Sequence, residues 1–186
     1  MDLFYKVKSD VSLDRYKAHL VALGNNQEYG VNYKETFAPL TKMTTIHTIL
    51  AIAASQNWVL NQMNVKNTFL QRDLKEDLYM RHPAGLLSTL TSIVCKLPRS
   101  LYGLKQAPRA WYEKFTYTLL KFAFLKSNYD ASVFLRKTEI GVVILLMYVD
   151  DIIITSIDLV LISQLKQYLH DSFHIKDLDP LHIFLV

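Results

Sequence analysis

The chain has 186 residues, 51% of them hydrophobic, with one cysteine and a net charge of +4 from 21 Lys and Arg against 17 Asp and Glu. That length supports one domain with a real core, or part of a larger protein, and Cys95 alone excludes an intramolecular disulfide framework and fits a reducing, intracellular setting. The longest apolar run, Val142 to Val149, is far short of the ~20 residues of a membrane helix, and the start MDLFYKVKSD lacks the apolar stretch of a secretory signal.

In chain order, residues 16–23 (YKAHLVAL) and 58–65 (WVLNQMNV) are short runs of strand type. Between them Met43, Ile46, Ile49, Leu50 and Ala53 recur at helical spacing, which predicts a helix behind a threonine cap. DLYMR and IVCKL predict two strands around a Pro83–Gly85 turn. APRAWYEKFTYTLLKF predicts a helix with Pro108 in its first turn and Trp111, Phe115, Leu119 and Phe122 on one stripe. Residues 131–136 and 142–155 are β-branched and aromatic, hence strands, and a last helix starts near Ser156 or Asp158. Strands in adjacent pairs with separate long helices predict an α+β fold with a largely antiparallel sheet backed by helices. No repeat or linker divides residues 1–186, which therefore read as a single domain. Lys and Arg cluster in RYKAH, KLPRSLYGLKQAPR and KFAFLK, a mild bias towards polyanionic partners.

The run from Gly141 to Thr155 would span ~50 Å if extended, too long for an ordinary strand. A hairpin turning at Val149–Asp151 resolves this and lets Asp150 and Asp151 reach one accessible point, although successive strand residues point to opposite faces. Convergent carboxylates at the rim of an apolar sheet form a hard-oxygen site suited to Mg²⁺ and to phosphoryl transfer. The plainer alternative is that the pair supplies polar turn residues. No phosphate-binding loop, H-E-x-x-H, G-x-S-x-G or zinc cysteine pair competes for a catalytic role.

YVDDIIIT resembles the catalytic turn of reverse transcriptases of copia-type LTR retrotransposons. RYKAHLVALG, YKETFAPLTKM, NVKNTFLQRDLKEDLYMRHPAG, LPRSLYGLKQAPRAWYEKF and FHIKDLDPLHIFL resemble the same family in the same order. The resemblance implies the fingers and palm of a right-handed polymerase, with the catalytic hairpin at 142–155, two Mg²⁺ ions, a primer–template and deoxynucleotides as partners, and no membrane. It further implies that Asp150 and Asp151 bind metal with the Val65 backbone, that Tyr148 stands at the primer end, and that Phe69 excludes a 2′-hydroxyl. Gln106 would line the nucleotide pocket, Lys17 would approach the triphosphate, and Lys176 would donate a proton to pyrophosphate.

Departures from the family pattern matter as much. Asn64 stands where the third metal-binding aspartate belongs, and it is neutral, with one oxygen and an amide donor. His19 and Leu23 replace basic residues, and Asp179–Pro180 replaces an expected glycine. The family continues beyond HIFLV into a primer-gripping hairpin, so thumb and RNase H are expected to be absent. These features predict an impaired copy without processive synthesis. The alternatives are a domesticated nucleic-acid-binding protein without catalysis and a fragment with no stable product.

Overall fold

The computed structural model describes residues 2–10, 12–71, 73–82 and 94–180. Among these residues three α-helices accompany antiparallel sheets, a mixed α/β arrangement. The backbone divides into two units, Met1–Phe37 with Phe69–Ala110, and Ala38–Thr68 with Trp111–Val186.

In the first unit, β1 (Asp2–Val7) and β2 (Leu13–His19) form an antiparallel hairpin with Phe4 opposite Lys17. The strand expected over 16–23 thus begins earlier and ends at His19. Its continuation leaves the ladder because Ala22 N–H finds its acceptor elsewhere, on Tyr102 O at 2.7 Å. That crossing explains two glycines. A Cβ on Gly24 would collide with the Gly103 carbonyl, and one on Gly103, whose φ is +89°, would collide with the Ala22 carbonyl. β4 (Asp73–Arg81) pairs antiparallel with β5 (Val94–Arg99), and the expected Pro83–Gly85 turn lies outside the described residues. Ala22, Leu78, Leu101, Leu104 and Ala107 make the core of this unit, with Leu74, Met80 and Leu97 packed against it.

The second unit is built on one six-stranded sheet. Its members are β3 (Val59–Val65), β6 (Leu125–Lys126), β7 (Val133–Lys137), β8 (Val142–Tyr148), β9 (Asp151–Ser156) and β10 (Ile175–Pro180). They lie in the order β10-β3-β9-β8-β7-β6 with every neighbour antiparallel. Alternation along each strand divides the apolar residues between two helical layers. Val133, Ile144, Leu146 and Ile153 pack with Ile46 and Ile49 of α1 (Met43–Ser55). On the other face Phe134 meets Phe115 of α2 (Ala107–Lys121), and Phe122 stacks on Tyr168 of α3 (Leu159–Ser172). With both faces covered, β8 and β9 carry almost unbroken hydrophobic sequence.

α3 starts as expected, with the Asp158 carboxylate accepting Leu161 N–H at 2.9 Å. α1 does not. Its N-cap is Lys42, with no side-chain cap of its own, and Thr41 gives its hydroxyl to Met147 O at 2.7 Å. The capping acceptor comes from across the fold. Asp130 Oδ2 accepts the Thr45 hydroxyl at 2.6 Å and Lys42 N–H at 3.3 Å, while Oδ1 accepts the Ser132 hydroxyl at 2.6 Å and its N–H at 3.0 Å. Burial of Asp130 pushes its carboxyl up, but these hydrogen bonds together outweigh that and hold it below the usual aspartate value. Because the folded value lies below the unfolded one, the stabilisation is complete above about pH 4 and is lost as pH falls through the lowered value. Asp130→Asn should therefore lose about 1–3 kcal/mol at pH 7. Urea denaturation should show the gap to the parent closing as pH is lowered from neutrality to below about pH 4. A gap independent of pH would contradict this.

Candidate active site

Val149 and Asp150 form the turn between β8 and β9, after Tyr148 and Asp151 have met as the last pair. Val149 has φ +54°, a conformation that a β-branched residue seldom adopts and that costs on the order of 1–3 kcal/mol. Two-residue hairpin turns demand positive φ at their first position, so the tight turn imposes the strain. Two bonds from outside hold it. Trp111 Nε1–H donates to Val149 O at 3.3 Å, and Val65 N–H donates to Asp150 O at 2.8 Å.

The sheet register lines up a row of four residues across β10, β3, β9 and β8. Lys176 is opposite Asn64, Asn64 is opposite Asp151, and Asp151 is opposite Tyr148. Cross-strand partners share a face, with Cβ atoms about 4.5–5.5 Å apart. Asn64 Nδ2 donates to Asp151 Oδ1 at 3.1 Å, and Gln62 Nε2, two residues earlier on the same face, donates to the same oxygen at 3.2 Å. Lys176 is exposed, and Tyr148 retains 40% of its accessible surface.

Asp150 is placed differently. Its Oδ1 is buried and has no hydrogen-bond partner among the described residues. A carboxylate oxygen cut off from water without a donor is costly, and a cation is its natural complement. Two carboxylates on one tight turn therefore fit a divalent cation such as Mg²⁺, which takes hard oxygen ligands. The described residues contain no group of three or more His, Cys, Asp or Glu that could hold a metal. Asn64, expected from the resemblance at a third ligand position, has its amide turned to donate to Asp151, and the Val65 carbonyl accepts the Thr68 hydroxyl at 2.9 Å. The set fits a cation but lacks a third negative charge.

The remaining residues of interest belong to the first unit. Lys17 lies in β2, and Phe69 packs edge-on against Tyr102 with ring centroids 4.9 Å apart. Gln106 is buried and its amide is occupied at both ends, accepting from Gln27 Nε2 at 3.0 Å and donating to Asn32 O at 3.1 Å. Sequence reasoning missed Gln62, although its spacing of two from Asn64 puts both amides on one strand face. It also missed the bracing of residues 27–33 by Lys105, whose N–H accompanies Gln106 by donating to Gln27 Oε1 at 2.8 Å.

A carboxylate turn at the rim of a helix-backed antiparallel sheet is a site able to hold a cation against phosphate oxygens. Comparison with known proteins identifies its kind. Residues 2–186 match the family described as reverse transcriptase (RNA-dependent DNA polymerase). The chain is 45% and 42% identical over 181 residues to the retrovirus-related Pol polyproteins from transposons RE1 and RE2 of Arabidopsis thaliana. These matches cover 97% of this chain and 12% of each polyprotein. Against the Pol polyprotein from transposon TNT 1-94 of Nicotiana tabacum it is 45% identical over 94% of this chain and 13% of that protein. The chain belongs to the reverse transcriptase family, as the domain carried by copia-type retrotransposon Pol polyproteins, and it spans about an eighth of the length of those relatives. Among the described residues no helix is long and apolar enough to cross a membrane.

Proposed function

We propose that this domain carries a template-directed nucleotidyl-transfer site that Asn64 has weakened. The first unit would act as fingers and the second as palm. A DNA or RNA primer–template and deoxynucleotides would be the substrates. Asp150 and Asp151 would hold divalent cations, two in the family pattern, with the Val65 backbone nearby; bound there, such ions neutralise the triphosphate and favour ionisation of the primer hydroxyl. Tyr148 would support the primer end from the same row. Phe69 would pack against the incoming sugar and exclude a 2′-hydroxyl. Lys17 and Gln106 would contact the nucleotide, Gln106 only after releasing Gln27 or Asn32. Lys176 would give a proton to the departing pyrophosphate.

The observation that carries the proposal is the Asn64 amide on Asp151 at 3.1 Å, with a buried oxygen on the next residue of the turn, Asp150, that has no hydrogen-bond partner among the described residues. An aspartate at position 64 would complete the carboxylate set. The amide keeps its shape and removes one charge. The test is addition of a single templated nucleotide to a primer. The parent should add it slowly and without processive synthesis, and Asp150→Asn should abolish addition while primer–template affinity stays unchanged. Addition that ignores the template or survives Asp150→Asn would overturn the proposal.

A further inference from the structure

Gln62 stands where the apolar core of the sheet gives way to the hairpin carboxylates. On this face Leu60 and Ile153 pack with Ile46 and Ile49 of α1. Gln62 follows Leu60 by two residues on β3 and is opposite Ile153 in the register, so all three side chains share the face. It is half-buried. An apolar side chain would suit those neighbours better, because an amide taken out of water is costly unless it is hydrogen-bonded. Gln62 makes its bond to Asp151, Nε2 donating to Oδ1 at 3.2 Å.

Side-chain length fits each amide to its place. Asn64 is directly opposite Asp151, where cross-strand Cβ atoms are about 4.5–5.5 Å apart, and a short amide spans the gap. Gln62 is a diagonal neighbour, roughly 7–8 Å away, and needs its additional methylene to arrive. Both amides end on the same oxygen. Among the described residues the side-chain hydrogen bonds to this carboxylate all go to Oδ1, which leaves Oδ2 for a cation. Hydrogen bonds behind a metal ligand fix its orientation and strengthen binding. We propose that Gln62 is a positioning residue for the cation site, pinning Asp151 through Oδ1 so that Oδ2 is presented. This role rests on the reading of Asp150 and Asp151 as a cation site. Asn64 shares the task in this chain and partly conceals the contribution of Gln62. An aspartate at position 64 could not donate, and Gln62 would then be the one side chain among the described residues holding Asp151.

Two substitutions separate reach from polarity. Gln62→Met keeps the length and removes the donor, whereas Gln62→Asn keeps the amide and removes the reach. Both should retain the parent's circular dichroism. Mn²⁺ binding without nucleic acid, followed by the electron paramagnetic resonance of the free ion, gives the cation affinity, and Asp150→Asn identifies the share that belongs to the hairpin. In the parent background that share should weaken by less than about tenfold in either variant. Beside Asn64→Asp it should weaken by roughly tenfold to a hundredfold. A side chain that merely fills space would give the same ratio in both backgrounds. The proposal is overturned if the loss beside Asn64→Asp is no larger than the loss in the parent. Mn²⁺ binding that Asp150→Asn abolishes, but that ignores Gln62 in both backgrounds, would remove this role and leave the cation site standing. Absence of any binding that depends on Asp150 would overturn both.

Discussion

Asn64→Asp is expected to destabilise the metal-free chain and to make its stability rise with Mg²⁺ or Mn²⁺ more steeply than the parent's does. In the parent the amide donates to Asp151 Oδ1 at 3.1 Å. Aspartate would remove that donor and put two like charges almost in contact. Such a pair at 4 Å repels by about 4 kcal/mol at an effective dielectric constant of 20. Side-chain rotation and hydration at this half-exposed edge should reduce the net loss to about 1–3 kcal/mol. For a domain of this size that is a fall of roughly 2–12 °C in melting temperature. A cation at 100 times its dissociation constant returns about 2.7 kcal/mol, enough to cancel the loss. Thermal melts of both proteins in chelator and in divalent cation check this. Equal melting temperatures in chelator, with no cation response, would mean that residue 64 does not act on the carboxylates.

Phe115→Ala should have an effect of at least equal size with no connection to metal. Phe115 is fully buried, with ring centroids 5.4 Å from Trp111, 5.8 Å from Phe173 and 6.3 Å from Phe134. It therefore joins α2 to the sheet and to the residue that ends α3. Deleting a buried phenyl group and leaving its cavity costs about 3–5 kcal/mol, and the lost edge contacts fall within that figure. Through Trp111, which donates to Val149 O, the cavity would also loosen the strained turn. Urea denaturation should give the full loss for Phe115→Ala and less than half of it for Phe115→Leu. A loss below about 1 kcal/mol would contradict the packing described.

The hairpin was legible because its two strands are buried on both faces, so their sequence is too long and too apolar for one strand and breaks only at two acids. The start of α3 was legible because its cap is local, Asp158 to Leu161. The start of α1 was not, because its capping acceptor, Asp130, lies 88 residues from Lys42. The end of β2 was hidden for a similar reason: the crossing of Ala22 with Tyr102 depends on glycines at both 24 and 103. At the site, alternation puts Gln62 and Asn64 on one face, but only the pairing of β3 with β9 brings both amides to Asp151. Family resemblance placed Asn64 beside the aspartates; no local pattern did. Nothing local signalled that the Gln106 amide engages Gln27 and Asn32, residues far from it in sequence.

The most direct test of a site weakened by one missing charge is the rate of single-nucleotide addition by the parent and by Asn64→Asp, side by side at saturating Mg²⁺. Loss of one electrostatic stabiliser of a transition state commonly costs about 10²–10³ in rate. The variant should therefore be faster by that factor while binding primer–template no more tightly. A ratio near one, or a variant slower than the parent, would contradict the account.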